Sequence, residues 1–255
     1  EHRPHAAIGA EAQAGGLDVA GGIGYSTHWT AADSPVRVTK TVWVPKYGNL
    51  TIDPGTVVWM APGAEIRLSS GATLNVSHAR FEGNGGAGIT CDNGCGNVTV
   101  QDSSFTNFNT AIHTDGVRQY TSNTSSCKAS IKRNTFRDVQ RALHAKDSAV
   151  DFMQNTVTGF YGEAATSVVT LDDSLATNIS GNLIYDTNAK GRVVRVKPAR
   201  KYSYYCHYYP YIYGQCQGFS SFIASNTIAY NNISSSNAVT VQQSYSNLKF
   251  NIIWG

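Results

Sequence analysis

The sequence predicts an all-β fold, a single-domain solenoid of short strands wound into stacked coils. Three observations carry this prediction. A five-residue segment recurs six times with its apolar and polar positions in phase. A second marker, built on Asn, recurs between those segments. The composition, 24 Gly and 14 Tyr among many Ser, Thr and Asn, suits short strands and turns rather than long helices.

The recurring segment reads apolar-apolar-polar-apolar-polar and follows small residues. It appears as Gly88-Ile89-Thr90-Cys91-Asp92, Ala111-Ile112-His113-Thr114-Asp115 and Ala142-Leu143-His144-Ala145-Lys146. It continues as Val168-Val169-Thr170-Leu171-Asp172, Val193-Val194-Arg195-Val196-Lys197 and Ala238-Val239-Thr240-Val241-Gln242. Between the second residues of these segments (89, 112, 143, 169, 194, 239) the gaps are 23, 31, 26, 25 and 45. The Asn marker gives Asn134-Thr135-Phe136, Asn155-Thr156-Val157, Asn182-Leu183-Ile184, Asn226-Thr227-Ile228 and Asn251-Ile252-Ile253, with Ser103-Ser104-Phe105 in the same place earlier. A period near 25 with two strand-like runs per unit is what a solenoid requires. Coils stacked at about 4.8 Å turn equivalent side chains into ladders. An Asn ladder suits a corner, because Asn tolerates the left-handed conformation and bonds neighbouring backbone. A β-sandwich would space its strands at 8–12 residues without motifs in phase.

The opening residues extend the pattern: Trp29-Thr30, Ser34-Pro35-Val36, Leu50-Thr51-Ile52-Asp53-Pro54-Gly55-Thr56-Val57-Val58 and Gly71-Ala72-Thr73-Leu74-Asn75-Val76. With these rungs the chain resembles the right-handed parallel β-helix superfamily of secreted proteins, often called pectin-lyase-like, over about residues 36–255. That architecture hosts lyases, hydrolases, epimerases, adhesins and assembly modules, so the resemblance implies the fold and leaves function to the site. The organisation expected is an N-terminal arm or cap over 1–28 and a parallel β-helix over 29–255. A polar loop covers 115–128, and a Tyr-rich insertion at 198–218 reduces the 45-residue gap to 24 once its 21 residues are subtracted.

Composition narrows the function classes. A net charge of +3 and a pI near 8.6 are too mild to point to nucleic acid, and no apolar run is long enough for a membrane span. The chain starts at Glu1 without an initiator Met, which points to a processed, secreted, extracellular protein. Of five cysteines, Cys206 and Cys216 flank the Tyr-rich segment and are the first choice for a disulfide; a second could use two of Cys91, Cys95 and Cys127. Six sequons, at Asn49, Asn75, Asn97, Asn123, Asn178 and Asn232, permit N-glycosylation.

Side chains alternate across a strand, so the third and fifth residues of each segment face outward. One column is Thr90, His113, His144, Thr170, Arg195 and Thr240; its neighbour is Asp92, Asp115, Lys146, Asp172, Lys197 and Gln242. Such a face can serve acidic polysaccharide, with Arg or Lys abstracting a proton or binding uronate carboxylates and carboxylates acting as acids or holding Ca²⁺. Asp172-Asp173 and Arg195-Val196-Lys197 resemble two motifs of the polygalacturonase-type hydrolases, while their Asn-Thr-Asp motif is present only as His113-Thr114-Asp115 and the His residues precede the Asp pair. The catalytic candidates are His113, His144, Lys146, Asp172, Arg195 and Lys197. The same charges, alternating down the second column, also form a self-neutralising ion ladder. No metal-ligand motif and no cofactor is implied, although a lyase would bring Ca²⁺ to the carboxylates.

The insertion offers Tyr204, Tyr205, Tyr208, Tyr209, Tyr211 and Tyr213 for a glycan or a protein partner. Lys190, Arg192, Arg200 and Lys201 add basic charge beside it. The last residues, 246–255, read as an ordinary rung without a cap, and 1–28 as a free arm. That layout favours head-to-tail pairing of copies. The sequence therefore places first a secreted structural subunit that self-associates into an extracellular filament or surface assembly. A polysaccharide lyase or hydrolase acting on acidic, uronate-containing glycans comes second, and a non-catalytic glycan-binding adhesin third.

Overall fold

Strict alternation of apolar and polar residues, broken every few positions by a turn residue, can be satisfied only by short strands with one face inward. A computed structural model of the chain describes residues 12–13, 15–92, 94–117, 128–161, 166–174, 177–186, 188–189, 192–197, 221–229, 232–233, 239–241, 246–249 and 251–253. It is a parallel β-solenoid of stacked coils, in sheets of 18 and nine strands with a two-stranded pair, Asn188–Ala189 and Asn232–Ile233, beside them. The larger sheet turns a corner at Val36–Val44, whose first half pairs with Val57–Met60 and whose second half pairs with Ile66–Leu68. Each coil thus presents three faces in chain order: face I (Arg80–Glu82 and its equivalents), face II (Ala87–Cys91) and face III (Val98–Gln101).

The register is the one the repeats imply. On face II, Ile89, Ile112, Leu143, Val169, Val194 and Val239 lie side by side on successive coils. On face III the inward file runs Ile52, Val76, Val100, Ile131, Phe152, Ile179 and Ile223. On face I, Val58, Phe81, Phe105, Phe136 and Val157 form a third file. Within it, Phe105 stacks on Phe81 with ring centroids 4.5 Å apart and on Phe136 at 5.3 Å. These side chains are fully or almost fully buried, apart from Val239, which packs against the core edge. Each contributes on the order of 1.5–3 kcal/mol by leaving water.

The corner between faces III and I carries the Asn ladder. Asn155 Oδ1 accepts from the backbone N–H of Asn134 at 2.9 Å and from its Nδ2 at 3.1 Å; Asn182, Asn226 and Asn251 repeat the arrangement. Each Nδ2 also donates to a main-chain carbonyl, as Asn155 does to Ile131 at 3.0 Å. Ser103 occupies the earlier place, its N–H donating to Asn134 Oδ1. One expectation is corrected here. The left-handed residue at the bend is not the ladder Asn but the residue before it: Asp102, Arg133, Gln154, Gly181 and Ser225 all have φ between 50° and 65°. Asn is needed for its amide, which satisfies buried backbone that the turn leaves unpaired.

Within 1–28, the described residues form strands that pair with the solenoid. Gly16–Gly22 pairs parallel with Val36–Val44, and Ser26–Trp29 with Asn49–Ile52. Ala12–Gln13 folds back antiparallel on Gly16 and Leu17. A disulfide joins Cys91 to Cys95, which is one of the pairings left open by the sequence. Cys127, Cys206 and Cys216 lie outside the described residues. No helix among the described residues is long and apolar enough to cross a membrane.

Candidate anion-binding face

Face II sets the polar column in register: Thr90 beside His113, His113 beside His144, His144 beside Thr170, Thr170 beside Arg195, and Arg195 beside Thr240. The column extends further than the six segments. Arg67 precedes Thr90, and Trp43 precedes Arg67. The spacing could have revealed both, because Ile66 and Val42 continue the count back from Ile89 by 23 and 24 residues, with Arg67 keeping the apolar-polar-apolar pattern and Trp43 standing in the same outward place.

The face is less open than alternation alone implies. Thr90 and Thr170 are buried between bulkier neighbours, and Thr90 Oγ1 donates to Glu65 Oε2 at 2.7 Å. His113 and His144 keep 22% and 23% of their side-chain surface, with ring centroids 4.8 Å apart. His113 Nε2 lies 3.7 Å from Asp92, which Arg67 approaches from the other side at 3.6 Å. Burial, with repulsion from His144 behind it, holds the His113 imidazole below its ordinary pKa despite the opposing pull of Asp92 and Asp115.

The centre of the face is the group around Asp172. His144 Nε2 lies 3.2 Å from Asp172 Oδ2, and Lys197 Nζ lies 3.4 Å from Oδ1. The hydrogen bond to His144, then the Lys197 charge, hold the Asp172 carboxyl below its usual range against the cost of burial. Arg141 NH1 faces His144 Nδ1 at 3.5 Å. A guanidinium only donates, so Nδ1 is the acceptor and the imidazole proton sits on Nε2, donated to Asp172. Arg141 is itself pushed below the usual guanidinium range by burial, with Arg195 adding repulsion and Asp172 attraction. The Nε atoms of both Arg141 and Arg195 are buried without a hydrogen-bond partner among the described residues. Lys197 thus pairs with Asp172 directly, Arg141 feels both Asp172 and Arg195, and two guanidinium Nε donors are left to spare.

Lys146, by contrast, pairs with Asp115 at 2.8 Å, and that bond raises its pKa. This pair and the Lys197–Asp172 pair are the cross-coil ion ladder expected for the second column. Asp173 sits in a left-handed turn with φ of 50° and is exposed, so the Asp pair does not present both carboxylates in the same way. Arg141 was missed by the sequence because it stands just before its recurring segment, one residue ahead of Ala142.

The other predicted residues lie elsewhere. Asn49, Asn75, Asn97 and Asn178 are on face III, where Asn49 Oδ1 accepts from Thr73 Oγ1 at 2.8 Å and Asn97 Oδ1 from the Lys128 N–H at 2.9 Å. Asn75 and Asn97 are the exposed ones. Asn232 begins the short strand Asn232–Ile233. Tyr204, Tyr205, Tyr208, Tyr209, Tyr211, Tyr213, Asn123, Gln242 and the basic residues Lys190, Arg200 and Lys201 lie outside the described residues, as do Cys206 and Cys216. No group of three or more His, Cys, Asp and Glu side chains among the described residues is arranged to hold a metal ion. No family model matches the chain, and neither the curated proteins nor the solved structures contain a match.

Proposed function

We propose that the protein is a secreted β-helix that binds acidic polysaccharide along face II. The observation that supports this most is the excess of cation at the Asp172 centre. Lys197 pairs with Asp172, Arg141 lies within electrostatic reach of both Asp172 and Arg195, and the Nε donors of Arg141 and Arg195 have no partner among the described residues. Buried donors left unpaired cost free energy, and an anionic ligand would supply the missing acceptors. The resemblance of the rungs to pectin-lyase-like proteins agrees with this use of the face, and the Cys91–Cys95 disulfide agrees with an oxidising compartment.

Cleavage is the second reading, favoured by the His144–Asp172 contact. A carboxylate that fixes the imidazole tautomer leaves Nδ1 as a base once Arg141 turns to the ligand. Incubation with uronate polysaccharide tests both readings in one sample. Retention on the immobilised polysaccharide supports binding, and its absence at low salt excludes it. New reducing ends indicate cleavage, and ultraviolet absorbance of an unsaturated product assigns it to elimination. Self-association into a filament is a separate proposal, tested by electron microscopy with light scattering. Regular fibres support it, and a strict monomer at all concentrations excludes it.

A further inference from the structure

The polar column of face II ends in an aromatic platform that, among the described residues, is open on one side. Trp43 is 44% exposed, and its in-register neighbours differ sharply. On one side lies Arg67, whose guanidinium is 5.1 Å from the indole centroid and is tied to Glu65 at 2.6 Å and Asp92 at 3.6 Å. On the other side lies Gly22, with Gly21 before it; a Cβ at either position would meet nothing within 4 Å among the described residues. Trp59, the other exposed tryptophan among the described residues, has no such vacancy. It stands between Arg37, 5.9 Å from its ring, and Glu82.

We infer that Trp43 is a sugar-stacking subsite, in which a pyranose ring of the bound polysaccharide lies over Gly21–Gly22 against the free face of the indole. This rests on the acidic-polysaccharide reading of face II and adds a recognition element that is not electrostatic. The chemistry fits: the C–H face of a pyranose is apolar, and indole offers a large rigid partner for it. The geometry is preorganised, since Arg67, held by two carboxylates, fixes the ring before any ligand arrives. Continuity identifies the occupant. Trp43, Arg67, Thr90, His113, His144, Thr170 and Arg195 are consecutive members of one column, so Trp43 lies six coils, about 29 Å at about 4.8 Å per coil, from Arg195 in the cationic centre. One extended glycan can therefore touch both ends, whereas a disaccharide cannot.

Calorimetric titration of the full chain with uronate hexasaccharide and disaccharide tests the subsite. Trp43→Ala should weaken the hexasaccharide about ten-fold, the loss of one stacking contact, and leave the disaccharide unchanged. Gly22→Val should do the same by filling the space above an intact indole, so the result does not hang on one variant's folding. Unchanged hexasaccharide affinity in both variants, with Arg195→Ala still abolishing binding, overturns the stacking subsite and leaves the polysaccharide reading standing. Equal weakening of both oligosaccharides also overturns it. Wild-type protein that binds neither oligosaccharide overturns both readings together.

Discussion

His144 Nε2 lies 3.2 Å from Asp172 Oδ2 across neighbouring coils, and the opposite edge of the same imidazole faces Arg141. A parallel solenoid makes such a contact easy to build. Residues 28 positions apart in sequence become neighbours because each coil returns to the same face one strand spacing further on. The contact also lies beside a second imidazole, His113, whose burial gives the fold a pH dependence.

Because burial and His144 hold His113 below its ordinary pKa of 6.5, the folded chain takes up this proton less readily than the unfolded chain. Its contribution to stability is complete above that pH and is lost as pH falls from there through the folded value. Asp172, also depressed, contributes in the same direction but in a lower window, beginning at its unfolded value of 3.8. Denaturant unfolding at pH 7.5 and at pH 5 should therefore show a loss in the wild type that His113→Asn largely removes. An identical loss in both proteins would mean that another group is responsible.

Asn155 holds four hydrogen-bond partners at a buried corner: the N–H and Nδ2 of Asn134, the carbonyl of Ile131 and the Oδ1 of Asn182. Asn155→Ala strands the first and third of these backbone groups away from water. A destabilisation of about 2–4 kcal/mol is expected from the unpaired groups, read as a lower urea midpoint. A change below about 0.5 kcal/mol would show that the ladder is not a structural element.

Phe105 is fully buried and stacked on both Phe81 and Phe136. Truncation to Ala removes both contacts and leaves a cavity in a file with no spare chain to collapse into it. The expected cost is about 3–5 kcal/mol, and Phe105→Leu should recover part of it. Thermal melts of the two variants side by side check the order.

Much of this was legible in the sequence, for a physical reason. In a solenoid, register follows from the repeat, so aligning Ile89, Ile112, Leu143, Val169, Val194 and Val239 placed His113 beside His144 and Lys146 beside Asp115 and Asp172 without coordinates. The pairing of charges across coils was less accessible. Lys146 lies between Asp115 and Asp172 in the column but bonds Asp115, while Asp172 is taken by His144 and Lys197. Side-chain reach decides this, and no periodicity encodes it. Arg141 escaped notice because it lies two residues before the strand Leu143–Lys146, outside the alternating pattern, and Trp43 because it stands in the column before the first recurring segment. The left-handed corner residues escaped for another reason. Asp102, Arg133, Gln154 and Ser225 have no side chain in common, so only the backbone reveals the conformation they share.

The most direct test of the acidic-polysaccharide face is calorimetric titration of a uronate oligosaccharide into wild type and an Arg195→Ala/Lys197→Ala variant, at low and at physiological salt. The account predicts wild-type binding that weakens as salt screens the charges, and loss of most of that affinity in the variant with its melting temperature little changed. Equal affinity in the two proteins, or binding indifferent to both salt and charge, would contradict it.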